Sequence, residues 1–190
     1  MGTMASSTHQ FGVLDLIRAG LQDLDTARTL LDELRADGID DDRLCLLMKT
    51  LEQTCEPDIA LRNLVDIIKA LQSQGRDFHQ VITDDAGLVR LVTVLGVSDG
   101  MGKLMRFRPE LVMAAASDSC ESHLYNHAQR RAHVLEAVGA DPVDSRTPKA
   151  SKPLAEAATA LRQTYRKQLA AIMAQDTTAE DPIEIQPRIS

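Results

Sequence analysis

In many segments of this sequence, apolar residues recur with the spacing that places them on one face of an α-helix. Between residues 25 and 34, for example, Ala27, Leu30, Leu31 and Leu34 fall at positions i, i+3, i+4 and i+7. This spacing gives a helix one apolar face that must be covered by other helices. The pattern therefore predicts a chain built from packed amphipathic helices.

The composition favours the same fold class. Hydrophobic residues make up 44% of the 190 residues, but aromatic residues only 3%, and Trp is absent. Aliphatic residues without aromatic or β-rich runs are typical of helices that pack through Leu, Ala, Val and Ile. A chain of this length has room for one substantial core. We predict an all-α fold, an irregular multi-helix bundle with a C-terminal projecting helix and an extended tail.

Polar capping residues, glycines and prolines mark the expected ends of the helices. Helix stops are expected at Gly20, Gly38, Gly75 and Gly139, and a break at Pro109. The Val-rich segment 85–95 would also suit a strand, but its apolar residues have helical spacing. The expected helices cover residues 11–18, 25–34, 44–51 after an acidic cap at 40–42, 57–74, 85–95, 99–104, 111–116, 119–138 and 154–175.

These elements divide the chain into five parts. We expect a disordered leader over residues 1–9, a helical bundle over 10–140 and a linker rich in Pro, Ser and Asp over 141–153. A long helix over 154–176 and an extended connector over 177–190 follow.

Charge and cysteine usage narrow the function classes. The net charge of −7 and the pI near 5.2 argue against nucleic acid or an anionic membrane as the partner and favour a protein partner. The odd set Cys45, Cys55 and Cys120 suits reduced thiols. The sequence has neither an apolar run of the roughly 20 residues that span a bilayer nor signal-peptide features near residue 1. We expect a cytoplasmic protein.

A glycine-rich segment offers one catalytic interpretation. Residues Gly96 to Gly100 match G-x-S-x-G, the turn that exposes a nucleophilic serine in hydrolases, and His123, His127 and His133 follow it. That turn joins a strand to a helix, whereas the surrounding periodicity here is helical. We therefore interpret Ser98 as a helix cap and keep the hydrolase as an alternative.

Two further clusters have both a functional and a plain interpretation. Cys120, His123 and His127 lie at i, i+3 and i+7, so they could supply metal ligands from one helix face, or they are ordinary surface residues. The basic groups Arg130–Arg131 and Arg162, Arg166, Lys167 are either solvated helix faces or contacts to phosphate or an acidic partner.

Four segments, taken in order, carry a family resemblance. They are 18–28, with Arg18-Ala19-Gly20 leading to Leu24-Asp25-Thr26-Ala27-Arg28; 56–64, Glu56-Pro57-Asp58-Ile59-Ala60-Leu61-Arg62-Asn63-Leu64; 94–111, with Leu-Gly-x-Ser and then Arg-Pro-Glu; and the basic helix 161–169. Together they resemble the N-terminal helical region of the bacterial bifunctional glutamine synthetase adenylyltransferase/adenylyl-removing family. The sequence departs from that pattern at Phe107 and Arg108, where members often carry an Arg-His pair.

The resemblance implies a parent enzyme with two nucleotidyltransferase domains. One removes AMP from a tyrosine of glutamine synthetase by phosphorolysis, and the other transfers AMP from ATP. Each uses Mg²⁺ held by paired acidic residues, and the family signature is Gly-Gly or Gly-Ser with Asp-hydrophobic-Asp some ten residues later. This signature is absent from the 190 residues. We interpret Asp23-Leu24-Asp25 as caps or solvated acids, and assign no catalytic, cofactor-binding or metal-binding residue to this segment.

The resemblance also implies a supporting or docking role for the segment. The positions that match the family motifs, and that we predict for docking, are Gly96, Ser98, Arg106, Arg108, Pro109, Arg162 and Arg166. The implied partners are glutamine synthetase, a nitrogen-signalling regulatory protein and the catalytic domain of the same polypeptide. The alternative is a stand-alone helical protein-interaction adaptor.

Overall fold

A computed structural model describes residues 10–117, 127–143 and 147–178 of the chain, and these residues form α-helices and no strand. The all-α prediction is therefore confirmed for the described residues. The helices are α1 Val13–Arg18, α2 Leu24–Ala36, α3 Asp41–Glu52, α4 Pro57–Ser73, α5 Phe78–Val81, α6 Asp85–Val97, α7 Asp99–Arg106, α8 Pro109–Ala116, α9 His127–Ala137 and α10 Leu154–Thr178.

Aspartate side chains cap the first turns of several helices, among them α2, α3 and α6. Asp23 accepts a hydrogen bond from the backbone N–H of Thr26 at 3.1 Å, and Asp40 from that of Arg43 at 2.8 Å. Asp84 caps α6 in the same way. Each cap satisfies a backbone donor that the first turn of a helix leaves unpaired. The acidic cap expected before α3 is confirmed.

The predicted glycine stops are also confirmed. The four glycines have positive backbone φ angles, a conformation that other residues adopt only at a cost. At Gly38, with φ of 92°, the chain turns so that the N–H of Ile39 reaches back to the carbonyl of Leu34 at 3.0 Å. The four positions are Gly20, Gly38, Gly75 and Gly139.

Helices α4 and α6 form the centre of the bundle. Leu61 and Ile67 of α4 and Leu91 and Leu95 of α6 are fully buried. Helices α2 and α7 pack on α4, while α3, α8 and α10 pack on α6. The Val-rich segment 85–97 is thus a helix, as predicted, because it is buried between other helices rather than paired in a sheet.

Helix α5 was not expected from the sequence, because four residues are too short to show a helical period. Asp77 caps it by accepting from the N–H of His79 at 2.9 Å, and Phe78 is buried. Arg43 Nη1 of α3 lies 3.1 Å from His79 Nδ1, so the short helix is also held by a polar contact. Distant contacts therefore stabilise α5.

The long helix predicted over residues 119–138 is described only from His127, where α9 begins; residues 118–126 lie outside the described residues. Helix α9 has no buried residue and packs on α10. The leader 1–9, linker residues 144–146 and tail residues 179–190 also lie outside the described residues. The proposed division into bundle, linker and connector therefore stays a prediction.

Helix α10 is divided between the bundle and its surface. In its C-terminal half, Ala170 and Ala174 are fully buried, and the helix packs against α6 and α8. In its N-terminal half, Leu154 is 87% exposed and Tyr165 61% exposed. The C-terminal half is thus part of the bundle rather than a free projection, because its alanines allow close contact between helix backbones.

Candidate functional site

Three of the segments that carry the family resemblance meet at the N-terminal half of α4. The Asp58 carboxylate accepts from the N–H groups of Gln22 at 3.0 Å and Asp23 at 3.3 Å, which joins the α1–α2 turn to the first turn of α4. A Cβ on Gly20 would lie 3.2 Å from Pro57 Cγ. The first two segments therefore meet in a tightly packed turn contact.

Two glycines of the third segment lie against the same helix and the turn before it. A Cβ placed on Gly96 of α6 would overlap the Thr54 methyl group and lie 3.4 Å from Ala60 Cβ. A Cβ on Gly102 of α7 would lie 2.5 Å from Asn63 Cγ. Glycine at these two positions therefore permits close packing of α6 and α7 on α4. We call the contacts of Gly96 and Gly102 with Thr54, Ala60 and Asn63 the glycine seam.

Ser98 lies between two helices and caps the second. Its Oγ accepts from the backbone N–H of Met101 at 3.2 Å, so the predicted cap is confirmed. The residues before it form α6, whereas a nucleophile elbow needs a strand there. The G-x-S-x-G match thus has the geometry of a helix-to-helix junction, and the hydrolase interpretation is not supported.

In the sequence Arg106 to Pro109, some side chains have partners in the bundle and others are exposed. Arg106 pairs with Asp66 of α4 at 2.5 Å, and its guanidinium carbon lies 5.7 Å from the centre of the Phe107 ring. Pro109 is buried at the first position of α8, where a missing N–H costs nothing. Phe107 is 72% exposed, and Arg108 pairs with Glu110 at 3.6 Å. The docking roles of Arg106, Arg108 and Pro109 stay predictions, because both arginines are half-buried and ion-paired.

Carboxylates beside these motifs have structural partners. The pKa of Asp99 is lowered by hydrogen bonds from Lys103 at 2.6 Å and from Asn63 at 3.4 Å. The pKa of Asp23 is lowered by the Thr26 hydroxyl and then by the Thr26 N–H. Asp99 is therefore paired with two side chains, and Asp23 with the first turn of α2, which agrees with the cap interpretation of Asp23.

The basic residues of α10 lie on the part of the helix that is exposed to solvent. Arg162 is exposed, with its Nε donating to the Ala158 carbonyl at 3.1 Å, while Arg166 is half-buried and Lys167 is exposed. Gln168 donates to the backbone carbonyl of Arg130 at 3.2 Å, and this bond fastens α9 beside α10. The docking roles of Arg162 and Arg166 therefore stay predictions.

A groove of about 1110 Å³ lies between α8 and the α9–α10 pair, with α5 and the start of α6 at its end. Met113 of α8 is 47% exposed in it, and His133, Glu136 and Lys167 lie along its other wall. Sequence reasoning did not find this groove. Its walls come from four helices, α5, α8, α9 and α10, and from the turn before α6, and no local sequence spacing indicates that these parts meet.

The metal-site alternative falls largely outside the described residues, since Cys120 and His123 lie there and only His127 is described. Within the described residues, no three His, Cys, Asp or Glu side chains are grouped as metal ligands. Cys45 and Cys55 are free thiols in the structure. None of the described helices has the length and apolar character needed to cross a membrane.

Comparison with known proteins reveals similarity along nearly the whole chain. The chain is 62% identical over 187 residues, 98% of its length, to a bifunctional glutamine synthetase adenylyltransferase/adenylyl-removing enzyme of Bifidobacterium longum. It is 31% identical over 90% of its length to an enzyme of the same name from Cutibacterium acnes, and 30% identical over 92% to one from Leifsonia xyli. The chain is thus similar to one segment of these enzymes.

The segment spans 17% of the length of the B. longum and C. acnes adenylyltransferases and 16% of the L. xyli one. No family model matches the chain, and no solved structure matches it. In the structure, the Leu-Gly-x-Ser motif has a packing role and a capping role. Its glycine packs α6 against Thr54 and Ala60, and its serine starts α7.

Proposed function

We propose that the chain is the N-terminal helical part of a bifunctional glutamine synthetase adenylyltransferase/adenylyl-removing enzyme, and that it supports or docks the catalytic domains without carrying out the chemistry. The observation that carries the proposal is the 62% identity over 98% of the chain to a protein of that name, of which the chain spans only 17%. Such a high identity over a small share is expected of one segment of a large enzyme.

The uses of the motif residues favour support over catalysis. Asp23 accepts from a backbone N–H in the first turn of α2, Asp58 accepts from backbone N–H groups in the α1–α2 turn, and Asp99 pairs with Lys103. Gly96 provides room for Thr54 instead of approaching a phosphate with its backbone. Carboxylates and glycines that would otherwise suggest nucleotide chemistry are therefore engaged in capping and packing.

The partners and cofactors follow from the family. The parent enzyme acts on glutamine synthetase, is regulated by a nitrogen-signalling protein, and uses ATP and Mg²⁺ in domains outside this segment. We place it in the cytoplasm, where glutamine synthetase and ATP are available to it. No cofactor, nucleic acid or membrane contact is proposed for residues 1–190.

The gene provides the first test. The reading frame beyond codon 190 is expected to encode Gly-Gly or Gly-Ser followed by Asp-hydrophobic-Asp, and the full-length product is expected to attach AMP to glutamine synthetase with Mg²⁺ and ATP. A stop codon before such a segment would contradict the proposal and favour the stand-alone adaptor. A full-length product without AMP transfer or removal would contradict it as well.

A further inference from the structure

Three exposed apolar residues form a stripe along the N-terminal half of α10. Leu154 is 87% exposed, Leu161 43% and Tyr165 61%. At about 100° per residue, steps of seven and eleven residues bring all three side chains to within about 20° of one direction. With a rise of about 1.5 Å per residue, the stripe is roughly 16 Å long. We call Leu154, Leu161 and Tyr165 the α10 stripe.

The two sides of the α10 stripe differ. On one side Ala157 is buried and Gln168 holds the backbone of α9, so that side is closed by the neighbouring helix. On the other side Arg162 and Arg166 lie about 80° and 120° around the helix from Leu154. The open side of the stripe is therefore basic.

The charge of this region is opposite to that of the bundle. The described residues between 127 and 178 contain seven Lys or Arg against four Asp or Glu, whereas residues 10–117 contain twelve against eighteen. Five of these seven basic residues lie on α9 and α10, and the other two, Lys149 and Lys152, lie just before α10. The complement of this basic, partly apolar surface is an apolar surface bordered by carboxylates.

We infer that the α10 stripe docks an amphipathic helix with carboxylates along one edge of its apolar face, contributed by the part of the longer polypeptide that lies outside residues 1–190. This inference rests on the proposed function, since the occupant belongs to the parent enzyme. The B. longum relative has most of its length outside the matched segment, and this chain spans only 17% of it. Apolar side chains at i, i+7 and i+11 accept a helix laid along them.

Hydrogen exchange tests the docking directly. It compares residues 1–190 alone with the same residues joined in frame to the remainder of the B. longum relative. Covering the stripe suppresses local opening, so we expect amides from Leu154 to Tyr165 to exchange about tenfold more slowly in the joined polypeptide. Amides of α2 and α4 serve as internal references and are expected to exchange equally in both. Equal exchange at Leu154 to Tyr165 with protected α2 and α4 would overturn the inference.

Paired variants in the joined polypeptide test the surface itself. The double variant Leu161→Asp/Tyr165→Asp is expected to abolish the slow exchange. The matched control Leu14→Asp/Ile17→Asp changes two exposed apolar residues of α1, which are 77% and 55% exposed, and is expected to keep it. Arg162→Glu/Arg166→Glu is expected to reduce the protection by repelling the carboxylate edge. Loss of protection in the α1 control, or retention in the stripe variant, would contradict docking at α10.

An AMP-transfer assay on the joined polypeptide separates this inference from the proposed function. Active polypeptide with equal exchange would refute docking at the α10 stripe and leave the proposed function standing. Slow exchange in inactive polypeptide would support docking and count against the proposed function.

Discussion

Replacing Gly96 with Ala tests whether the glycine seam is a packing contact. Ala is favoured over Gly in a helix interior by about 1 kcal/mol, so on propensity alone the variant would be more stable. In the folded chain, however, the new Cβ would overlap the Thr54 methyl group and lie 2.9 Å from Thr54 Cβ. Overpacking of this kind costs about 1–3 kcal/mol. We expect Gly96→Ala to lower the free energy of unfolding by up to about 2 kcal/mol.

Thr54 is poorly placed to move aside, which is why the cost should be measurable. Its hydroxyl donates to the carbonyls of Thr50 and Leu51, both at 2.9 Å, and these bonds fix the methyl toward Gly96. Thr54→Ser removes that methyl and keeps the hydroxyl. If the two changes were independent, their effects on the free energy of unfolding would add. We expect the double variant Gly96→Ala/Thr54→Ser to have a free energy of unfolding about 1 kcal/mol above that sum.

Gly100→Ala provides the matched control, because the nearest atom to its new Cβ would be Ser98 Oγ at 3.9 Å. This variant is expected to be neutral or more stable by up to about 1 kcal/mol. Urea unfolding followed by far-ultraviolet circular dichroism gives the free energies, with equal slopes showing that the same surface unfolds. The packing interpretation fails if Gly96→Ala behaves like Gly100→Ala and shows no coupling to Thr54→Ser.

Two further predictions concern the start of α7. Ser98→Ala is expected to lower the free energy of unfolding by about 0.5–2 kcal/mol, while Ser98→Asp, which keeps an acceptor, should stay near wild type; covalent labelling of Ser98 by a fluorophosphonate would contradict the cap. Asp99 has a lowered pKa, so its ionised contacts stabilise the fold above its ordinary pKa of 3.8 and lose that contribution as the pH falls through the lowered value. The stability difference between wild type and Lys103→Met, followed by urea unfolding from pH 7 to pH 2, should therefore shrink below pH 3.8, and a difference that grows in acid would contradict this.

Local chemistry made much of the fold predictable. Apolar spacing identified α2, α3 and α4, because each carries a full stripe that the core covers. Caps and stops at Asp40 and Gly38 follow from hydrogen bonding and backbone freedom within a few residues. These features depend on residues that are close in sequence, so a single sequence without homologues is enough to locate them.

Other features depend on which helices meet. Helix α5 is too short to show a period, and it is held by Arg43 from 36 positions away. The glycine seam was noticed as a glycine-rich motif, but its packing use emerges only when α6 and α7 lie on α4. In α10 the large apolar residues Leu161 and Tyr165 are exposed, while the small residues Ala170 and Ala174 are buried. Hydrophobicity identifies an apolar face, but neighbouring helices decide which face is covered.

The most direct test of a supporting, non-catalytic role is phosphorolysis of adenylylated glutamine synthetase. Residues 1–190 alone, with Mg²⁺ and inorganic phosphate, are expected to release no ADP from the modified enzyme, whereas the full-length product of the same gene is expected to release it. Phosphate-dependent and Mg²⁺-dependent release by residues 1–190 alone would contradict the account.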